Sequence, residues 1–588
     1  MSHTPVPYIP ENAPFSPEQR AWLNGLLAGM FSATAVPNLP ALPARASHSV
    51  AVYFASQSGT AERLAKKFAK ELKSQGHQAH LACLSTIAPA DLARQTHAVI
   101  FASTYGDGEA PDSVKSFRES LLAESIALNK LQYTVFALGD SSYEQFCRFG
   151  VELDERLAEL GAQRIEARVE SDVDVDPPFV AWKDATLARL SAIDMPSVHT
   201  NTAVTAPANP VPEAQRYTRD NPFHAEIVAR HALTNDISSK LTIHLGLQLD
   251  EAVKYEAGDA CGVLAENDPA LVDETIAKLG FSTDAPVEVP KFGACTLQRA
   301  LSHHYQHTRL TRKMVQAFAE KTQCKTLAAL LPAEQGAHLD SFLWDRGLID
   351  LVLEYPGAIE SPQALLAMLP RLAPRLYSIS SSPAKHGNEL NCTIAVVRYR
   401  SHNRERGGVA STMLSERIAM GGRVPMYIQP NKRFRLPQDS STPMIMIGPG
   451  TGIAPFRSFL HEREALGHTG RNWLFFGERS ASTDFLYEQE LTTMAASGHL
   501  TRLDTAFSRD QAHKIYVQDR MVEHGSMFWS WLAEGARVYV CGDASRMARD
   551  VDQALHSLIE THGAMSADAA KEYISQMHDD GRYHKDVY

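Results

Sequence analysis

The chain has 588 residues, 44% of them hydrophobic and 21% charged, with a formal net charge of −11. That length exceeds what one core supports and predicts three or four domains of roughly 100 to 200 residues, while the acidic balance argues against nucleic acid as a main partner. No apolar run of about 18 residues occurs, so no membrane span is expected. Without a basic start, an apolar stretch and a small-residue cleavage site, the chain reads as cytoplasmic.

The seven cysteines (Cys83, Cys147, Cys261, Cys295, Cys324, Cys392 and Cys541) are scattered, with no C-x-x-C and no His at ligand spacing. That pattern fits reduced thiols and predicts neither a disulfide framework nor a metal site.

Residues 1–48 read as an N-terminal extension. Within it "APFSPEQRAWLNGLLAGMF" (13–31) predicts an amphipathic helix, with Ser16 as cap, Pro17 at the first position and Trp22, Leu23, Leu26, Leu27 and Met30 on one face. Such a face needs a cover, either its own chain or a second copy.

Over 49–190 short apolar runs ("VAVYFAS", "HAVIFAST", "YTVFALGD") alternate with helical patterns, which predicts a parallel sheet wrapped by helices. "SQSGTA" (Ser56, Gln57, Ser58, Gly59, Thr60, Ala61) lies between a strand and a helix, where small residues let backbone N–H groups close around a phosphate at the helix N-terminus. No Lys follows the glycine, so this is not a P-loop, and it lacks the dinucleotide glycine fingerprint. Alone it could be a capped turn. Two later loops, "STYG" (103–106) and "LGDSSYEQFC" (138–147), add glycines and the aromatics Tyr105 and Tyr143 at the carboxyl edge of the same sheet, where open α/β folds bind ligands. A phosphate loop with two aromatic walls describes a pocket for a flat ring bearing one phosphate.

Residues 191–218, with Pro196, Pro207, Pro210 and Pro212 among Ala, Thr and Asn, read as a linker. From 219 to 440 strand patterns flank a helical insertion at about 269–366, and from 441 to 588 strands and helices alternate again, ending on a helix. In this last part "MIGPGTGIAPF" places Gly448, Gly450, Thr451 and Gly452 in a turn that admits a pyrophosphate just before a helix, with Pro455 at its start. Downstream Ser508, Arg509 and Lys514 supply a hydroxyl and positive charge for a ribose 2′-phosphate. Tyr516 is available to stack on adenine, and Gln518 is a further polar contact. An acidic residue there would have indicated NAD instead.

Charge is uneven. Residues 101–180 hold 16 acidic and 7 basic side chains, net −9; residues 371–440 hold 12 basic and 4 acidic, net +8. An acidic face is ordinarily just solvated, but opposite so basic a stretch it could also dock.

The three loops of 49–190 resemble the flavodoxin-like FMN domain of the diflavin reductases. "RLYSISSSP" (375–383), followed by "GGVASTML" (407–414), resembles a ferredoxin-reductase-like FAD barrel. Taken together, residues 49–588 resemble the NADPH-dependent diflavin reductases in the family's order: FMN, FAD with a helical insertion, NADPH. The proline-rich linker and the ending R-Y-x-x-D-V-Y are most similar to the branch that forms the flavoprotein alpha component of assimilatory sulfite reductase. The resemblance implies an α/β multidomain fold: a flavodoxin-like parallel sheet, an antiparallel FAD barrel and a ferredoxin-reductase-like NADP domain.

By that resemblance FMN would be held by Ser56, Gln57, Ser58, Gly59, Thr60 and Ala61, by Ser103, Thr104, Tyr105 and Gly106, and by Leu138, Gly139, Asp140, Ser141, Ser142, Tyr143, Glu144, Gln145, Phe146 and Cys147. FAD would take Thr311, Arg375, Leu376, Tyr377, Ser378, Thr393, Ile394, Ala395, Tyr399, Gly408, Val409, Ala410, Ser411 and Tyr588. NADPH would take Gly450, Thr451, Gly452, Ser508, Arg509, Lys514, Ile515, Tyr516, Val517, Gln518 and Asp550. The family's hydride-transfer group maps onto Ser378, Cys541 and Asp586, with the ring of Tyr588 over the flavin.

NADPH delivers two electrons as hydride, whereas haem and iron–sulfur centres take one at a time, which is why two flavins would stand between them. The chain shows no haem or cluster ligand set, so the resemblance implies a separate sirohaem and iron–sulfur haemoprotein (beta) subunit and a homo-oligomer. A soluble electron donor to another haem acceptor is the alternative. A flavin-binding scaffold without turnover would be expected to have lost Ser378, Cys541 or Asp586, and all three are present.

Overall fold

Continuous apolar strands, not alternating ones, build the first sheet, because helices cover both of its faces. The computed structural model describes residues 49–56, 59–105, 108–139, 145–172, 175–191, 217–332, 335–544 and 546–587. The expected helix at 13–31 and nearly all of the expected linker lie outside them.

Strands β1 (Ser49–Ala55), β2 (Gln78–Cys83), β3 (His97–Ser103), β4 (Gln132–Leu138), β5 (Gln163–Arg164) and β6 (Val169–Ser171) form one sheet with the order β2-β1-β3-β4-β5, β6 also pairing with β4. Every pairing is parallel. This is the doubly wound order expected of a flavodoxin-like unit, which places its ligand edge where β1 and β3 diverge. All seven residues of β3 are buried. One core lies on each face, centred on Ile100 and Phe149 on one side and on Phe68, Phe101 and Trp182 on the other.

Strands β7 (Phe223–Ala232), β8 (Leu241–Gln248) and β9 (Ala260–Val263) open the second unit. The insertion follows, and it is not purely helical: a hairpin, β10 (Pro286–Val289) with β11 (Gly293–Thr296), interrupts its helices. Lys291 takes φ +70° in that turn. Then come β12 (Arg375–Ser378), β13 (Glu389–Val396), the hairpin β14 (Arg398–Ser401) and β15 (Arg404–Gly407), and β16 (Arg423–Gln429). The antiparallel order is β12-β9-β16-β7-β8-β13, and the Ile379–Cys392 bridge brings the first and last strands together, closing the sheet into a barrel. Leu245, Cys261, Ile394 and Val424 fill its core.

The third unit is a parallel sheet of β17 (Met444–Ile447), β18 (Asn472–Glu478), β19 (Arg502–Phe507), β20 (Arg537–Gly542) and β21 (Tyr583–Val587), in the order β19-β18-β17-β20-β21. The sequence reading ended this part on a helix. Instead two helices, Met547–His562 and Ala567–Asp579, precede a final strand that lies at the sheet edge. "YHKDV" is short and mostly polar, and it becomes a strand because β20 offers it a backbone ladder.

Candidate functional site

Three elements converge where the barrel meets the third sheet. In the parallel register of β20 and β21, Asp586 lies opposite Cys541. Across the domain boundary Ser378, the last residue of β12, donates its hydroxyl to Asp586 Oδ2 at 2.8 Å, and Cys541 Sγ lies 3.9 Å from the same oxygen. Burial pushes the Asp586 carboxyl up from its ordinary range, and it pushes the Cys541 thiol well up, with the Asp586 charge adding to it. Cys541 is therefore a neutral thiol, and Asp586 is a carboxyl whose hold on a proton burial strengthens. The three side chains expected for hydride transfer are thus brought together.

The glycine turn is packed onto this group. A Cβ on Gly452 would sit 2.1 Å from the carbonyl oxygen of Cys541, so only glycine lets the turn approach β20 so closely, and Gly450 takes φ +59°. Beside the turn the buried carboxylate of Glu478 is paired with Lys240 of the barrel. That pairing removes a negative charge that would otherwise oppose a pyrophosphate.

Ser508 and Arg509 donate backbone N–H groups to Glu478 and Arg479 at 2.9 and 2.8 Å, prolonging the β18–β19 edge. The side chains of Arg509, Lys514 and Tyr516 are exposed there. Val517 is buried and Ile515 packs on the core, so their part is to anchor the loop. Gln518 Nε2 reaches Asp550 Oδ2 at 3.4 Å.

At the barrel mouth Leu376 is 52% and Val397 48% exposed, and Ala395 is exposed between them in sequence. Apolar surface left open beside Tyr377 and Ser378 fits a flat ring. Gly408 precedes the short helix Val409–Thr412, and a Cβ there would meet Ser411 Oγ at 2.6 Å. Ala410 faces the core, and Ser411 Oγ accepts the Val397 N–H at 3.1 Å. Tyr399 stands on β14 opposite Arg406, which forks onto Asp350 at 2.9 and 2.7 Å and so fixes the hairpin to the insertion.

Other expected FAD side chains are committed elsewhere. Thr311 caps the helix Arg312–Thr322 through Met314 N–H at 3.3 Å, and Ile394 is in the barrel core. Thr393 Oγ1 lies 2.8 Å from the Tyr487 hydroxyl of the third unit. Of these three, Ile394 can reach a cofactor only through its backbone, whereas the Thr311 and Thr393 hydroxyls each keep capacity for a second hydrogen bond.

In the first sheet Ser56 Oγ accepts the Gly59 N–H at 3.0 Å, and Gly59 takes φ +87° immediately before the helix Thr60–Ser74, whose N-terminus is the place a phosphate favours. Ala61 is buried behind the loop. Thr104 N–H bonds to Leu138 O at 2.8 Å, and Thr104 Oγ1 accepts Phe149 N–H at 3.2 Å, joining the second and third loops. Ser103 is buried. A Cβ on Gly139 would meet Cys147 N at 2.7 Å and Phe146 packs at the same turn, while Gln145 lies against Gly108. Cys147 takes φ +54° and is buried, which raises its thiol pKa. Gln57, Ser58, Gly106, Asp140, Ser141, Ser142, Tyr143, Glu144 and Tyr588 lie outside the described residues.

Two features had no signal in the sequence. Asn431 Nδ2 donates to Asp586 Oδ1 at 3.4 Å, from the loop after β16. The barrel and third unit are also joined by a buried polar network. Arg457 forks onto Glu490 at 2.8 and 2.9 Å, reaches Ser380 O at 2.8 Å and lies over the Tyr487 ring, whose hydroxyl is 3.1 Å from His244 Nδ1. Burial works against the Glu490 charge, but His461 and Arg457 outweigh it and hold the carboxyl down at about 2. Ser380 lies in "RLYSISSSP" and Arg457 directly follows "MIGPGTGIAPF", but it is long-range packing that joins them to Glu490, Tyr487 and His244.

Comparison with known families and proteins agrees with this arrangement. Residues 52–182 match the flavodoxin family, 215–413 the FAD binding domain family and 446–553 the oxidoreductase NAD-binding domain family. The chain is 40% identical over 587 residues to the sulfite reductase [NADPH] flavoprotein alpha-component of Bacillus subtilis (strain 168), covering 97% of this chain and 95% of that protein. It belongs to that flavoprotein family. The protein of the same name from Cronobacter sakazakii is 40% identical over 580 residues (98% and 96% covered), and that from Vibrio cholerae strain N16961 is 39% identical over 577 residues (97% and 93% covered). The chain is accordingly an oxidoreductase of diflavin architecture, with FMN, FAD and NADPH as its cofactors. Among the described residues no helix is long and apolar enough to cross a membrane.

Proposed function

We propose that this chain carries electrons from NADPH through FAD and FMN to a separate sirohaem and iron–sulfur haemoprotein, which reduces sulfite to sulfide for cysteine biosynthesis. The observation that carries the reading is the Ser378–Asp586–Cys541 cluster beneath the glycine turn, together with relatives named for sulfite reductase. The flavins supply the step-down from a two-electron hydride donor to one-electron acceptors.

The chain's own residues prepare that chemistry. Gly450 and Gly452 admit the pyrophosphate, Arg509 and Lys514 meet the 2′-phosphate, and Tyr516 offers a face to adenine. Arg375, Tyr377 and the Gly408–Ser411 turn hold FAD, while Ser56–Ala61 and the loops at 103–106 and 138–147 hold FMN. Ser378 would orient the nicotinamide, Asp586 as a carboxylate would accept the Ser378 hydroxyl proton in a hydrogen bond and so fix that hydroxyl, and the buried Cys541 would shape the cleft. By the resemblance, the ring of Tyr588 would shield the flavin and give way to nicotinamide.

In this reading the functional units run 49–190, 219–440 and 441–588, with the linker 191–218 between the first and the second. The protein works in the cytoplasm as a homo-oligomer, and the apolar face expected at 13–31 would dock either on its own chain or on a second copy. The test mixes the purified chain with a sirohaem haemoprotein, NADPH and sulfite. Sulfide formed only when both proteins are present supports the assignment; NADPH oxidation without sulfide, alongside efficient reduction of another haem acceptor, overturns it.

A further inference from the structure

Tyr105, expected only to wall the FMN pocket, makes a second connection. Its hydroxyl donates to the backbone C=O of Val587 and accepts the Val587 N–H at 3.0 Å. A hydroxyl has one proton and two lone pairs, so it can satisfy both groups of one residue at once. Val587 belongs to β21, the edge strand of the third sheet, whose outward backbone groups have no neighbouring strand. The Tyr105 ring also packs against the core cluster that contains Val587.

The contact is held firmly from the first unit. Tyr105 N–H and C=O both pair with Glu109 at 2.8 Å, closing a tight loop, and Gly108 at φ +89° lets Gln145 pack where a Cβ would come within 2.5 Å. Two further ion pairs join the first unit to the rest of the chain. Glu119 of the first unit meets Lys571 of the third at 2.7 Å, and Asp176 meets Lys291 of the insertion at 3.6 Å.

The residue beside Val587 is Asp586. One backbone link therefore separates the FMN loop from the carboxylate that receives Ser378.

We propose that Tyr105 is a positioning residue that ties docking of the flavodoxin-like unit to the order of the hydride-transfer strand. When that unit is docked, Tyr105 clamps Val587 and holds Asp586 in register with Cys541 and Ser378. When the unit leaves to meet an electron acceptor, the clamp opens and the Val587 N–H and C=O turn to water. Coupling of this kind is reciprocal: nucleotide bound at the Asp586 site strengthens docking by the same factor by which docking strengthens nucleotide binding. The inference rests on the cofactor assignments above but not on the identity of the acceptor.

The experiment measures hydrogen exchange at the Val587 amide and NADP⁺ affinity in the full-length, flavin-loaded protein, with no haem acceptor present. Tyr105→Phe keeps the ring and loses the hydroxyl. With FMN content matched to the parent, exchange is expected to quicken about tenfold and NADP⁺ affinity to fall several-fold, on the order expected for one lost hydrogen-bonding group. A second variant avoids the FMN loop. Glu119→Lys opposes Lys571 with a like charge and is expected to quicken the same exchange, and adding Lys571→Glu is expected to restore it. Unchanged exchange and affinity in FMN-loaded Tyr105→Phe, or in Glu119→Lys if the first variant loses FMN, would overturn the proposal. Because no haem acceptor is used, such a failure is distinct from a failure to make sulfide.

Discussion

Asp586 accepts the hydroxyl of Ser378 at 2.8 Å although 208 positions separate them in the chain. The bond joins the barrel to the last strand, so removing either partner takes from the other its hydrogen bond across that boundary. Ser378→Ala and Asp586→Asn are each expected to slow flavin reduction by NADPH about 100-fold, the size typical of a positioned proton-handling group, in anaerobic stopped-flow mixing. The Ser378 hydroxyl donates to an ionised carboxylate, and burial raises the Asp586 pKa. The parent rate should therefore fall as pH drops through that raised value, and Asp586→Asn should lose this acid limb while Ser378→Ala keeps it.

Arg509 and Lys514 stand exposed at the edge where the 2′-phosphate would lie. Charge-assisted hydrogen bonds to phosphate contribute about 1.5 to 3 kcal/mol each. Replacing both by Ala is expected to raise KM for NADPH by at least about 100-fold on that scale and to leave KM for NADH nearly unchanged. Steady-state kinetics with the two nucleotides decides it, and equal losses with both would remove the assignment.

Tyr588 follows Val587 directly, at the end of the strand that carries Asp586. A stacked aromatic ring contributes about 0.5 to 1.5 kcal/mol beyond burial, enough to shield a flavin and still yield to nicotinamide. Deleting Tyr588 is expected to tighten NADP⁺ binding and narrow the preference for NADPH over NADH, while FAD stays bound. If titration and kinetics show neither change, the ring is packing alone.

His244 and His307 are buried, and burial lowers both pKa values to about 4. In the unfolded chain each takes up its proton near pH 6.5. The unfolded state therefore binds more protons below that pH, and stability is lost as pH falls from about 6.5 towards 4, by up to about 3 kcal/mol per group. Glu490 acts later. Its carboxyl is held at about 2, so its contribution persists above the ordinary carboxyl pKa and is lost only as pH falls from there towards 2. Denaturant midpoints between pH 7 and 4 should decline, and His244→Gln should make the decline shallower. A flat profile in the parent would show that neither histidine stays neutral in the fold.

The central strands of both parallel sheets were legible because runs such as "HAVIFAS" and "NWLFFGE" are mostly apolar, and the phosphate-binding turns because glycine and small residues follow those strands directly; the edge strands β2, β5 and β6 were not. Strand β21 was not legible. Its middle residues are polar, and its conformation comes from β20, more than 40 residues earlier. The cluster of Ser378, Cys541 and Asp586 came from resemblance, since nothing in the local pattern links a serine, a thiol and a carboxylate so far apart. Asn431, Lys240 with Glu478, and Arg457 with Glu490 escaped for the same reason: each partner is ordinary where it stands, and only the closure of the barrel against the third sheet gives it a role.

Electron flow through two flavins in series is tested most directly by removing FMN alone from the purified chain and following NADPH-driven reduction of two acceptors. If the sequence is NADPH to FAD to FMN, ferricyanide reduction should persist, cytochrome c reduction should fall to near zero, and added FMN should bring it back. Cytochrome c reduction that continues unchanged without FMN would mean that electrons leave from FAD, and the order of transfer would be wrong.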